Sequence, residues 1–350
     1  MFSNLLWRLT LLIAASLGVA VVATLVAFNQ FEPVPAGGDA RCVPVRGIVG
    51  ASDLQVDRRR RRVFIASRAP RAEGPARGGI FAVSIDDPLD EAAWRDRTGG
   101  VPEAFEPVGL GFYDDGETRR LFVVNAATNA VEIYDVDGRG DLKHVRAVRD
   151  RRLTSPNDVA AVAADAFYVA NDVDAGRRSV LGRAQFLARA RAGKLFFFDG
   201  VAWRIAAEGL RYAEGVAVSA AGETVYAGET AGLALSVFSR APRTNHLSFE
   251  RAVPLPGGVE SVNVDGTGAV FITASPKPLR AKFGPAEGAP SLVLRLSDGP
   301  DGREIVTPVF RDDGGELAAA TASDAIGTKV IVGALAEDRF LICDAISTVY

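Results

Sequence analysis

Residues 156–172, PNDVAAVAADAFYVAND, hold the pattern that decides the fold: an Asn157-Asp158 pair, a small polar turn, then the strand-like run Phe167-Tyr168-Val169. The same run recurs as Val63-Phe64-Ile65, Leu121-Phe122-Val123, Val225-Tyr226-Ala227, Val270-Phe271-Ile272 and Val330-Ile331-Val332. Starting from Phe64, the central positions are spaced 58, 46, 58, 45 and 60 residues apart. A second strand follows most of them, as at Gly79 to Ile85, Ala130 to Asp135, Lys194 to Phe198, Leu233 to Phe238, Ser291 to Leu296 and Arg339 to Cys343. Turn residues such as Asp114-Asp115-Gly116 and Asp265-Gly266-Thr267 separate the strands. Helix-period stretches are nearly absent. Six antiparallel units of about fifty residues predict an all-β, six-bladed propeller rather than a sandwich.

The residues ten to twelve positions before each central one sharpen this reading. They are Ser52 and Asp53, Asn157 and Asp158, Glu214, and Glu260 and Ser261, with Pro107-Val108-Gly109-Leu110 and Thr321-Ala322-Ser323 in the other two units. The innermost strand of each blade lines the central channel, so these oxygen-bearing side chains converge near one end of the axis. Carboxylates crowded together repel unless a cation neutralises them. Ca²⁺, which takes six to eight oxygens, suits such a set, whereas the lack of His and Cys disfavours zinc or copper. Capping of strand turns is the plainer alternative for any one of these residues.

The first residues have a different character. Arg8 precedes a charge-free apolar run from Leu9 to Phe28, and about 20 residues at 1.5 Å each span a hydrocarbon core of about 30 Å. Ala27-Phe28-Asn29 is a poor cleavage site, so an uncleaved signal anchor is expected over residues 1–30, a linker over 31–41 and the propeller over 42–350. Arg8 on the cytoplasmic side places the propeller outside the cytoplasm, periplasmic or extracellular, with the lipid bilayer as a partner. Cys42 and Cys343, the two cysteines, suit that compartment; a disulfide would clasp the ends of the ring, and two separate buried thiols are the alternative.

Composition sets the outer limits. With 48% hydrophobic and 24% charged residues the 350-residue chain can build a large core, which excludes disorder and small disulfide scaffolds. A formal charge of −3 offers no overall positive field for polyphosphate, so no nucleic-acid partner is expected.

In order and spacing, Gly50-Ala51-Ser52-Asp53-Leu54, Glu106-Pro107-Val108-Gly109-Leu110, Pro156-Asn157-Asp158-Val159, Phe167 to Asp172, Tyr212-Ala213-Glu214-Gly215 and Leu341-Ile342-Cys343 resemble the serum paraoxonase and arylesterase family, from about Cys42 to Asp344. More distantly the chain is similar to gluconolactonase and strictosidine-synthase propellers. The resemblance implies a six-bladed propeller with two channel calcium ions, a retained hydrophobic N-terminal segment, a terminal disulfide between Cys42 and Cys343, and lactonase or arylesterase activity. It implies one structural calcium on Asp53, Asp158 and the Leu110 carbonyl, and a catalytic one near Ser52, Asn157, Glu214, Glu260 and Ser261.

The sequence departs from that pattern in two ways. Ser52 stands where the family has Glu, Glu214 where it has Asn, Glu260 where it has Asp and Ser261 where it has Asn, so one carboxylate is lost and one gained. Val108 and Ala126 occupy the positions of the family's water-activating His dyad, and the remaining histidines, His144 and His246, read as structural. Hydrolysis would then use Glu214 or Glu260 as base, beside Asn157. The expected activity is calcium-dependent hydrolysis of small esters or lactones. A calcium-stabilised binding platform and a strictosidine-synthase-like reaction are the alternatives.

Other features carry expectations of their own. Asp172 to Gly193 interrupts the third blade, and its portion with Arg177, Arg178, Arg183, Arg189 and Arg191 reads as a basic amphipathic helix over the channel mouth or on anionic lipid, with a plain solvated helix as the alternative. Arg58 to Arg62 reads as a solvated hairpin tip, and Glu229 as the acceptor of an inter-blade hydrogen bond. Trp94 and Trp203 read as packing residues outside the channel.

Overall fold

The computed structural model describes residues 2–34, 40–68, 78–89, 97–98, 104–299 and 304–344. It begins with helix α1 (Phe2–Ala27), followed by β1 (Arg41–Arg46). The first blade is β2 (Ala51–Asp57), β3 (Arg62–Ser67) and β4 (Gly79–Ser84). The second is β5 (Pro107–Asp114), β6 (Arg119–Asn125), β7 (Ala130–Val136) and β8 (Leu142–Arg149). The third is β9 (Pro156–Ala163), β10 (Ala166–Asn171), then after helix α2 (Val180–Leu187) β11 (Gly193–Phe198) and β12 (Trp203–Leu210). The fourth is β13 (Ala213–Val218), β14 (Thr224–Glu229), β15 (Ala234–Ala241) and β16 (His246–Pro254). The fifth is β17 (Gly258–Val264), β18 (Val270–Ser275), then after helix α3 (Pro278–Phe283) β19 (Ser291–Asp298) and β20 (Glu304–Asp312). The sixth is β21 (Ala320–Ile326), β22 (Lys329–Ala334) and β23 (Arg339–Asp344), completed on its outer edge by β1.

The expected six-bladed propeller is therefore the observed fold, closed by its own first strand. Cys42 lies directly opposite Cys343 in the β1–β23 ladder, and the two form a disulfide across a separation of 301 residues.

The recurrence of the central residue now has a physical cause. Phe64 packs into the core between blades one and two, Phe122 between two and three, Tyr168 between three and four, and Phe271 between five and six. Tyr226 and Ile331 do the same for the remaining pairs, four with five and six with one. Their neighbours in sequence point to the opposite face, as Val63 and Ile65 do toward blade six. Each second strand is thus covered on both faces and buried almost continuously, whereas an outer strand such as β8 alternates between exposed and covered positions. Burying one such aromatic is worth about 1.5–3 kcal/mol, so the repeat is a record of inter-blade packing.

Helix α1 contains the apolar segment Trp7–Ala27, 21 residues with a mean hydropathy of 2.5 that are long and apolar enough to cross a membrane. Its end docks on the propeller. Phe28 is fully buried and stacks on Phe186 of α2 with ring centroids 5.1 Å apart. Lys277 Nζ donates to the carbonyl oxygens of Asn29 at 2.7 Å and Gln30 at 3.1 Å.

Several local expectations are refined. The helix in the third blade covers eight residues, starting behind the Ser179 N-cap whose hydroxyl accepts from Gly182 N–H, and carries one of the five arginines, Arg183. Val180 and Leu181 are exposed and Phe186 is buried, so its polar face is shorter than the sequence suggested. The Arg58–Arg62 tip is paired rather than merely solvated: Arg58 reaches the fully buried Asp324 at 2.6 Å, and Arg61 reaches Asp86 at 2.7 Å. Glu229 accepts from Arg211 N–H, in the connection between blades three and four, and from the Ser236 hydroxyl within its own blade. His144 pairs with Glu132 at 2.8 Å on an outer strand, and Trp203 packs on Phe167 and Phe198. Trp94 and linker residues 35–39 lie outside the described residues.

Candidate functional site

All six innermost strands share one irregularity. The ladder between first and second strand skips Ser52 in blade one, Val108 in two, Asn157 in three, Glu214 with Gly215 in four, Glu260 in five and Thr321 in six. A bulge leaves its extra residue unpaired and re-aims the side chain. Here the six bulged residues all line one cavity of about 510 Å³ at the channel mouth. Six equivalent bulges thus turn six separate hairpins into a ring around one axis.

Close approach between inner strands makes the ring narrow. A Cβ on Gly109 would lie 2.2 Å from the carbonyl oxygen of Asn157, and one on Gly215 would lie 2.8 Å from Val262 N. Only glycine allows neighbouring blades to meet at that distance, which accounts for Val108-Gly109-Leu110 and Glu214-Gly215-Val216 as strings.

The carboxylates fall into three sets. The first, inner set is Asp53 and Asp158, 3% and 6% exposed against 8% and 9% for Glu214 and Glu260. Asp53 Oδ2 accepts from Leu110 N–H at 2.6 Å, while its buried Oδ1 has no hydrogen-bond partner. Asp158 accepts from Val159 N–H at 2.7 Å and Val216 N–H at 2.8 Å. Burial pushes the Asp53 carboxyl up to about 7. Asp158 is raised by burial and by repulsion from Asp53.

Asp172 forms the second set. It is fully buried, pairs with Arg177 Nε at 3.1 Å and accepts from Asn157 Nδ2 at 3.0 Å. Burial, only partly offset by Arg177, places it at about 7.

The third set is Glu214 and Glu260, joined by Lys282 of α3. Its Nζ lies 2.6 Å from Glu214 Oε1 and 2.9 Å from Glu260 Oε2. Glu214 Oε2 lies 2.5 Å from the Thr230 hydroxyl. Glu260 Oε1 is buried with no hydrogen-bond partner. Burial raises the Glu260 carboxyl to about 7, with repulsion from Glu214 adding to it and Lys282 opposing. Burial alone would lower the Lys282 ammonium, but the two carboxylates outweigh it and raise it.

Every residue expected from the sequence to hold calcium or act as base therefore lies at or beside one end of the channel. Ser52, Asp53, Asn157, Asp158, Glu214, Glu260 and Ser261 line the cavity, and Leu110 reaches it through its amide on Asp53. The Ser52 hydroxyl sits between the carbonyl oxygens of Ala66 at 3.0 Å and Pro107 at 2.9 Å, and the Ser261 hydroxyl lies 3.3 Å from that of Thr273. Val108 presents an apolar wall and Ala126 lies outside the cavity lining. Among the described residues no group of three or more His, Cys, Asp or Glu side chains is arranged to hold a metal.

Sequence reasoning missed Lys282 and gave Asp172, Arg177 and Tyr212 no role among the site's charges. The missing signal for Lys282 was length: β18 ends at Ser275 and β19 starts at Ser291, whereas hairpin loops usually take two to five residues. Phe186, Tyr212 and Phe283 form an aromatic rim above the ion pairs, with Phe186–Tyr212 centroids 4.8 Å apart and Phe186–Phe283 centroids 5.5 Å apart.

A sequence model described as Arylesterase matches residues 73–345. Serum paraoxonase/arylesterase 2 of Rattus norvegicus is 26% identical over 274 residues, covering 76% of this chain and 77% of the rat protein. A gluconolactonase from Xanthomonas campestris superposes with a TM-score of 0.55 at 14% identity, over 89% of this chain and 98% of that one. Regucalcin from Agrobacterium tumefaciens, described as a calcium-binding protein, superposes with a TM-score of 0.52 at 14% identity, over 85% and 90%. At these identities the two structures attest the fold.

Proposed function

The chain belongs to the arylesterase family, and from that premise we propose that it hydrolyses small, fairly apolar esters or lactones in the bulge-lined cavity. One observation carries the reading: a buried carboxylate oxygen, Glu260 Oε1, is left without a partner inside a cavity of about 510 Å³ with an aromatic rim. A carboxylate lifted to about 7 by burial is matched to proton transfer near neutral pH. Glu260 would take the proton of a water held at Oε1 as that water adds to the ester or lactone carbonyl. Collapse of the tetrahedral adduct breaks the acyl–oxygen bond, and the proton returns to the leaving alkoxide, yielding acid and alcohol. Lys282 would stabilise the developing negative charge, and Asn157, tied to Asp172, would line the same cavity.

Calcium belongs to this proposal at the inner position. The unpartnered Asp53 Oδ1 and the mutually repelling Asp53 and Asp158 fit a hard divalent cation, which would neutralise both and brace blades one, two and three where they converge. The calcium-binding relative of the same fold supports it. The propeller would stand outside the cytoplasm, anchored by α1; the apolar span and the disulfide support this.

The test is a panel of aryl esters and aliphatic lactones given to the detergent-solubilised full chain. Turnover that collapses in Glu260→Gln is expected. A folded chain that turns over none of the panel defeats the hydrolase reading. The second reading, a rigid binding platform, draws on Val108 and the Lys282 bridge: it predicts saturable ligand binding without turnover, and Glu260→Gln would alter affinity alone.

A further inference from the structure

Buried charge around the channel mouth can be counted pair by pair. Asp172 has Arg177. Glu214 and Glu260 share Lys282, whose side chain is only 19% exposed. Asp53 and Asp158 have no cation in contact among the described residues. One positive charge is thus already built into the outer pair, whereas the inner pair touches none.

The seat of Lys282 is constructed rather than incidental. It is carried on α3, an insertion between β18 and β19 that enters through Pro278 at its first turn. Leu279 packs against the cluster of Phe28, Phe186 and Tyr212, and Phe283 meets Phe186 edge-on at 5.5 Å. The ammonium sits 5.6 Å from the centre of the Tyr212 ring. Apolar contacts on both sides of the lysine therefore aim it at the two carboxylates.

The donors around it do not suit a divalent ion. Both oxygens of Glu214 are engaged, one by Lys282 and one by Thr230, and Oε1 of Glu260 is the one carboxylate oxygen of the pair left without a partner. The hydroxyls of Ser52 and Ser261 are held by other protein oxygens. Ca²⁺ requires six to eight oxygens, and a cation already touching Glu214 and Glu260 would repel it. An ammonium, with three donors and no acceptor, matches two facing carboxylates.

We propose that the Lys282 ammonium is the resident outer cation of this channel, so that the chain takes a single divalent ion, at Asp53 and Asp158, and none at Glu214 and Glu260. This holds whether the cavity hydrolyses esters or only binds ligands, because it concerns metal count and not turnover. Calcium titration by calorimetry, with metal analysis after dialysis, on the solubilised full chain decides it. The wild type should bind one Ca²⁺. Glu214→Gln and Glu260→Gln should still bind one, Asp53→Asn none, and Lys282→Ala two. A wild-type count other than one, an ion lost in either glutamine variant or kept in Asp53→Asn, or a folded Lys282→Ala chain that stays at one would overturn the proposal. Should Lys282→Ala fail to fold, the wild-type and glutamine counts still decide.

Discussion

Gly109 passes so close to Asn157 that a Cβ on it would stand 2.2 Å from the Asn157 carbonyl oxygen. Two blades touch there through bare backbone, Gly109 standing next to the bulged Val108 and Asn157 being the bulged residue of its own strand. Gly109→Ala must therefore push β5 and β9 apart, and overpacking of this kind costs about 1–3 kcal/mol. Urea unfolding of the solubilised chain should show that loss, together with weaker calcium binding because Leu110 no longer reaches Asp53. Unchanged stability would mean the inner strands are not in backbone contact.

As the proposed base, Glu260 would work only when ionised, so activity should climb with pH and level off above an apparent pKa of about 7. Replacing it by Gln should cost about 10²-fold in kcat/KM and remove the ascending limb. A rate profile that keeps the same limb in the Gln variant would move the role to another group.

Stability should show the opposite pH trend in metal-free protein. Asp53 holds its proton up to about 7 in the folded state, while an unfolded carboxyl releases it near about 3.9. The folded form binds more protons between those values, so its stability falls as pH rises through that window and the penalty is complete above it. Calcium relieves the penalty, and the rise in Tm on adding calcium should be larger at pH 8 than at pH 5. Equal rises at the two pH values would separate the ion from Asp53.

The Cys42–Cys343 bridge closes the ring across 301 residues. Chain entropy gives about 5 kcal/mol as an upper figure for such a loop. Cys42→Ser should lower the unfolding midpoint and expose β1 to protease first, with the other five blades intact. Protease resistance equal to the wild type would show that the β1–β23 ladder suffices alone.

How much of this could be read from residues in order is plain in particular cases. Phe64, Phe122, Tyr168, Tyr226, Phe271 and Ile331 announced six blades because each must fill the gap to the next one, and that packing repeats with the chain. Ser52, Asn157, Glu214 and Glu260 were found by their offset from those positions, since a propeller brings equivalent residues to equivalent places. The bulges that turn them inward left no mark of their own: a skipped ladder position is a fact about pairing between strands, and alternation along a single strand does not contain it.

Repetition and hydrophobic pattern are properties of neighbouring residues, so chain order alone determined the blade number, the apolar N-terminal helix and the ring of oxygen-bearing side chains. Which cation meets which carboxylate was settled by the folded form. Lys282 reaches Glu214 across 68 residues and Glu260 across 22, from an insertion that belongs to no repeat, and Coulomb attraction depends on distance in space and not on position along the chain.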